Sequence, residues 1–247
     1  MRQRRIAVAI RKGGVGKSTT AAHLAAGLAL AGRRVLVVDL DPQGHLATML
    51  GASDLPGTVS DVLEERVGAV EASAEVRERL WLLGADSRLA TVAATTLNRA
   101  FDPQLILAER LGELDGFDYV IVDTPPSLSP LTVNALFYAG EVLAPLELAA
   151  MSFGSLQTMR EELEVYQRRG GAGIRYVLPT MLRGSTRMHR DLMPKLPQLL
   201  GGQVLSGIGD YQLFRELSGD LIYEVDPRGR GTQDYLRVTR EVLDGEA

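Results

Sequence analysis

Apolar and polar positions alternate along this chain in blocks rather than singly. Short runs of aliphatic and β-branched residues are separated by longer stretches rich in alanine, leucine and charge. Val35–Asp39 reads VLVVD and Tyr119–Asp123 reads YVIVD, apolar or aromatic at every position before the final aspartate. Such runs are strands buried on both faces, the pattern of a parallel sheet covered by helices on each side. Residues 4–10 (RRIAVAI), 80–84, 141–145 and 175–179 read as further strands, and 204–208 as a weaker one. Helices are expected over 17–31, 102–114, 130–139, 153–169, 187–200 and 233–243. The first of these is rich in alanine and leucine, lacks proline and is stopped by Gly32. Residues 44–74 are the least regular part and read as loops and short helices. The opening strand–loop–helix–strand order implies a right-handed parallel β-α-β unit. The expected fold class is therefore α/β, a doubly wound, mostly parallel sheet. No repeat, low-complexity tract or Pro/Ser-rich linker interrupts it, so residues 1–247 read as one domain.

Composition narrows the chemistry. Hydrophobic residues make up 45% and charged residues 23% of 247, an ordinary globular balance in a chain long enough to bury a sizeable core. There is no cysteine, which excludes disulfides, Cys-based zinc sites, Cys-ligated iron–sulfur clusters and thiol catalysis. The net charge is −4, so a polyanionic partner must be met by a local patch. No apolar stretch approaches the roughly 18–20 residues of a membrane span. The basic residues 1–5 precede only a short apolar run, followed by Arg11 and Lys12 and no small-residue cleavage site. A mature cytoplasmic chain starting at its first strand is expected.

The strongest chemical signal is residues 12–19, KGGVGKST, between the first strand and the first helix. Glycines let backbone amides turn inward around phosphate oxygens, and the helix start adds its positive dipole end. Lys12, Gly13, Gly14, Val15, Gly16, Lys17, Ser18 and Thr19 are thus candidate nucleotide-binding residues. Lys17 can bridge β- and γ-phosphates, and the Ser18 hydroxyl is placed to ligate Mg²⁺. Asp123 ends an apolar strand, the physical form of a Walker B motif, and can hold Mg²⁺ through a water. Pro125 and Pro126 make a stiff turn after it. Asp39 and Asp41 lie at the carboxyl end of the second strand, where open α/β sheets bind ligands, although two aspartates before Pro42 also suit a turn or cap. Trp81 fits a core strand edge, and neither His23 nor His45 has a spacing partner for a metal site.

One departure is informative. The ordinary phosphate-loop pattern needs glycine at position 11, where this chain has Arg11, and an extra lysine, Lys12, follows. That spacing resembles the deviant Walker A motif of the ParA/MinD family of P-loop NTPases. The segments VLVVDLDPQGHLAT (35–48) and YVIVDTPPS (119–127) are similar to the same family's motifs, and together the three resemble its ParA/Soj branch of chromosome and plasmid partition ATPases. The resemblance is close over 4–50 and 117–150, thinner over 80–100 and weak over 170–247. It implies ATP and Mg²⁺ as cofactors and hydrolysis of ATP to ADP and phosphate. Catalysis would use Lys12, Lys17 and Asp41. Lys12 would reach the partner's ATP in a homodimer, Asp41 would orient the attacking water, and Asp39 would join Ser18 and Asp123 in the Mg²⁺ shell. It also implies a ParB-like activator protein, non-specific DNA as a partner and a nucleoid-associated location. A loop at 226–231 would lie near the adenine. The acidic, polar C-terminus REVLDGEA opposes the membrane helix of MinD-like relatives. No N-terminal extension that could hold a helix-turn-helix is expected.

Candidate DNA contacts are Arg183, Arg187, Arg190, Lys195 and Arg215. If helical, Arg183, Arg187 and Arg190 share a face that could neutralise phosphates, and the same spacing also suits a solvated helix face. Where the family usually has Ile-Pro-Arg, Ile208–Asp210 reads Ile-Gly-Asp. Two other readings stay open: an orphan ParA-like or MinD-like ATPase that positions a non-DNA cargo, and a small-molecule P-loop enzyme of the dethiobiotin synthetase type.

Overall fold

The structure, a computed structural model, describes residues 3–112, 114–148, 153–183, 191 and 193–245. Its sheet has strands β1 (Arg4–Val8), β2 (Val35–Asp39), β3 (Ala74–Arg77), β4 (Leu80–Leu83), β5 (Tyr119–Asp123), β6 (Glu141–Glu147), β7 (Ile174–Thr180) and β8 (Gln203–Val204). They lie in the order β3-β4-β2-β5-β1-β6-β7-β8. Every pairing is parallel except β3 with β4. The α/β, doubly wound reading of the sequence therefore holds. From β1 the chain crosses to β2 on one side and later returns to β6 on the other, so a crevice opens beyond the carboxyl ends of the central strands.

Side-chain alternation explains why the central strands carry no polar face. Along β2, Val35 and Val37 enter the core layer beneath α1 (Lys17–Leu30), which also takes Leu46 of the short helix α2 (His45–Met49). Leu36 and Val38 enter the opposite layer, which also holds residues of α3 (Val59–Leu63), α4 (Ala69–Ala72), α5 (Leu89–Arg99), α6 (Ile106–Leu111), α7 (Pro130–Tyr138) and α8 (Phe153–Gln167). Burial on both sides rewards an apolar residue at every position.

Two elements lie where no apolar run announces them. β3 reads AEVR and forms the antiparallel edge, so its charged residues stay in reach of water. α5 carries Thr91, Thr95 and Thr96, weak helix formers, and is held by Leu89, Val92, Ala93 and Leu97 against the core. The helix expected over 102–114 is split into a 3₁₀ turn, Pro103–Leu105, and α6, which ends at Gly112 with φ 58°. Of the helix expected over 187–200, the described part is helical Asp191, a 3₁₀ turn, Met193–Lys195, and the short helix Leu196–Leu200. Among the described residues no helix is long and apolar enough to cross a membrane.

The C-terminal helix Arg230–Asp244 packs on α1. His23, on α1, joins the two regions. Its Nδ1 lies 2.8 Å from the Thr19 carbonyl, and its Nε2 accepts from the Ile222 amide at 3.1 Å. The ring is therefore a neutral Nδ1–H tautomer. It stacks on Tyr235 with centroids 4.9 Å apart and meets Phe214 edge-on at 5.3 Å. The Tyr223 hydroxyl donates to the His23 carbonyl at 2.8 Å. Burial lowers its pKa to about 4, against weaker opposition from the Thr19 carbonyl.

A pH dependence follows. The unfolded chain protonates this histidine below about pH 6.5, and the folded chain does so only near pH 4. Between those values the unfolded state binds more protons, so stability falls as pH falls, by roughly 3 kcal/mol in all for this group. H23Q should be less stable than wild type at pH 7 and show a shallower loss of stability from pH 6.5 to 4 in denaturant titrations. An equal slope in both proteins would contradict the assignment.

Candidate functional site

The crevice is built on the loop between β1 and α1. After buried Ala9 and Ile10 the chain surfaces at Arg11, Gly13 and Gly14, then dips so that Val15 is fully buried. The Val15 carbonyl accepts from the Thr180 hydroxyl at the end of β7, 3.0 Å away. Gly14 (φ 73°) and Gly16 (φ 86°) are left-handed, a conformation strained for any side chain. Gly16 caps α1, so the amides of Lys17, Ser18 and Thr19 lack intrahelical partners and face outward from the helix start.

Around this loop lies a cleft of about 630 Å³ whose walls include Gly14, Lys17, Ser18, Asp41, Pro126 and Met181. Lys17 is only 7% exposed, and its Nζ donates to the Lys12 carbonyl at 2.8 Å. Burial lowers its pKa, while Asp123 and Asp41 pull it back up.

The sheet register sets Asp39 and Asp123 side by side at the ends of β2 and β5. Both are fully buried, yet their bonding differs. Asp39 accepts from the Asp41 amide at 2.9 Å and the Leu46 amide at 3.2 Å, so it ties the segment after β2 into a fixed turn. Neither carboxylate oxygen of Asp123 has a well-formed hydrogen bond. Burial pushes both carboxyl groups up, and each is raised further by a neighbouring aspartate. Lys17 and the Ser18 hydroxyl draw Asp123 partly back. Asp41, at the cleft wall, accepts from the Gln43 amide at 3.1 Å. A buried, unsatisfied carboxylate beside a hydroxyl is a hard-oxygen set of the kind Mg²⁺ takes, and the residues present fit that ion.

The loop's other cations are met by acids that the sequence reading did not single out. The Lys12 ammonium lies 3.8 Å from Glu147 at the end of β6, and Arg11 pairs with Glu162 on α8. Nothing in either acid's local sequence signals these contacts, which depend on β6 lying next to β1. His45 stands on the cleft wall, while His23 belongs to the aromatic cluster above. Asp226 is exposed and lies apart from the residues that line the cleft.

The expected DNA contacts are only partly brought together. Arg183 Nε and Arg215 Nη2 each donate to Asp210 at 2.6 Å, one to each carboxylate oxygen. These arginines, the Arg183 bond foremost, hold the Asp210 carboxyl below its usual range. Arg183 follows Leu182, which is bridged to Gly209, so it sits on an extended segment and not on a helix. Lys195 ends the 3₁₀ turn and is exposed. Arg187 and Arg190 lie outside the described residues.

Comparison with known proteins adds a family. The family model for an AAA domain matches residues 3–174. The chain is 35% identical to the chromosome-partitioning ATPase Soj of Thermus thermophilus, over 97% of this chain and 95% of that one. It is 32% identical to the sporulation initiation inhibitor protein Soj of Bacillus subtilis, over 96% and 97%. Among solved structures it is similar to cobyrinic acid a,c-diamide synthase from Mycobacterium smegmatis with a bound ATP analogue and magnesium. That match has 32% identity and a TM-score of 0.83, over 98% of this chain and 95% of that one.

The unsatisfied Asp123 carboxylate has a measurable consequence. Its ionised form is disfavoured in the fold, so a neutral isostere should stabilise the ligand-free protein. D123N is expected to be more stable than wild type by about 1–3 kcal/mol in the absence of nucleotide and metal. A destabilised D123N, read by differential scanning calorimetry, would show that the carboxylate is satisfied after all.

Proposed function

We propose that this chain, which belongs to the Soj/ParA family of chromosome-partitioning ATPases, is a Mg²⁺-dependent ATP hydrolase that switches between a monomer and an ATP-bound homodimer carried on DNA. The observation that supports it most is the buried Asp123 carboxylate, left without a well-formed hydrogen bond beside Ser18 and Lys17 at the base of a glycine-loop cleft. In this reading the amides of Gly13, Gly14, Val15, Gly16, Ser18 and Thr19 hold the phosphates, and Lys17 leaves the Lys12 carbonyl to bridge them. Ser18 and Asp123 would hold Mg²⁺, which when bound would neutralise charge on the phosphate oxygens. Asp39 acts one step back: its two amide bonds fix the turn that carries Asp41. Asp41 then orients the attacking water, and positioning with charge neutralisation supplies most of the catalysis.

Lys12 is the residue that links hydrolysis to assembly. It leaves Glu147, crosses to the partner's phosphates and so makes ATP bind the dimer better than the monomer. Turnover alone is slow, because a switch needs a lasting ATP state, and a ParB-like protein accelerates it. Binding to DNA is non-specific and places the protein on the nucleoid, in the cytoplasm. A second reading, phosphate transfer to a small molecule, is favoured by one observation, the similarity to a protein named as a diamide synthase. Phosphate release stimulated by a small molecule would support it.

The test is DNA binding by the purified chain with ATP, ADP or no nucleotide, at two salt concentrations, beside K12A. Salt-sensitive binding that requires ATP and is lost in K12A is the expected result. ATP-driven dimers that ignore DNA would retain the switch and overturn the partition reading.

A further inference from the structure

The contact between Arg183, Asp210 and Arg215 is built into the fold. The Asp210 amide donates to the Leu182 carbonyl at 3.1 Å, and the Ile208 amide to the Pro179 carbonyl at 2.8 Å, so residues 208–210 run along the end of β7 beside Arg183. On the other side Asp234 of the C-terminal helix accepts from the Gly209 amide at 3.0 Å and the Tyr211 hydroxyl at 2.9 Å. Asp210 is held between these two anchors. Its side chain is 12% exposed, whereas those of Arg183 and Arg215 are 74% and 56% exposed. The acid thus lies beneath two guanidiniums that face water.

A phosphodiester offers guanidinium the same paired acceptor oxygens as a carboxylate. A DNA phosphate approaching this patch must therefore compete with Asp210 for the donors of both arginines. The patch also carries one net positive charge where the two arginines alone would carry two. We infer that Arg183 and Arg215 form a contact for the DNA backbone, and that Asp210 is an internal phosphate mimic that holds the protein's DNA affinity down. This rests on the DNA reading above and adds to it a residue that sets how tightly the ATP-bound protein stays on DNA.

The experiment uses the full chain with ATP and a labelled duplex of arbitrary sequence, across a salt series. D210N should bind roughly two- to fivefold more tightly than wild type, as expected for release of an exposed ion pair. Its plot of log affinity against log salt should steepen by about 0.9 for each phosphate newly engaged. Adding R183A or R215A to D210N should remove the gain. D210S makes the same prediction through a shorter side chain, so misfolding of one variant leaves the question answerable by the other. If wild type binds DNA and neither variant binds more tightly, the inference is wrong and the DNA reading stands. If no form binds DNA with ATP, both fall together.

Discussion

Two carboxylates that repel each other are packed at the carboxyl ends of β2 and β5, and only one of them is satisfied by the protein. Asp39 spends both oxygens on backbone amides. Asp123, paired with it across the register, has no such relief. Ionised groups buried in this way are costly unless a cation or donor arrives. The fold supplies half an answer in Lys17, whose ammonium is itself desolvated and turned onto the loop's own carbonyl. The other half is what the metal-bound nucleotide of the proposed function would supply. The glycine loop, the helix start and the turn after β2 are arranged around that deficit.

This constraint also orders the surroundings. Thr180 fixes the loop through Val15, and the Thr124 hydroxyl donates to the Val8 carbonyl at 2.9 Å, locking the end of β5 to β1. Glu147 and Glu162 gather the loop's outer cations from the β6 and α8 side. His23 extends the same helix to the C-terminal segment through Thr19 on one nitrogen and Ile222 on the other. Phe214 touches that ring, and Arg215 follows it in sequence. The cleft and the arginine patch are thus linked by α1 and a packed aromatic cluster.

The central sheet was legible because its strands are buried on both faces. β2 and β5 have the bounds expected from VLVVD and YVIVD, since apolar runs of that kind leave little room for another choice. β3 and α5 were not legible: one is a charged edge strand and the other a threonine-rich helix held by its neighbours. For the site, the residues of the loop and the strand-end aspartates stood out by spacing. Their unequal roles did not, because Asp39 finds Leu46 seven positions on only after the turn has formed. Nor could spacing show that β5 inserts between β1 and β2 and so brings Asp123 to the loop. Asp210 marked a departure from the family pattern in sequence. That it draws Arg183 and Arg215 together required β7 and the segment 208–210 to lie side by side.

Under the proposed function, Asp123 is kept unsatisfied for a metal-bound nucleotide. Calorimetric titration of ATP into wild type and D123N, each with Mg²⁺ and with a chelator, tests it directly. Mg²⁺ should tighten ATP binding to wild type, and D123N should lose roughly 10–100-fold of that gain, while binding without the metal stays similar. An equal Mg²⁺ effect in both proteins would contradict it, and would move the metal's carboxylate to Asp39 or Asp41.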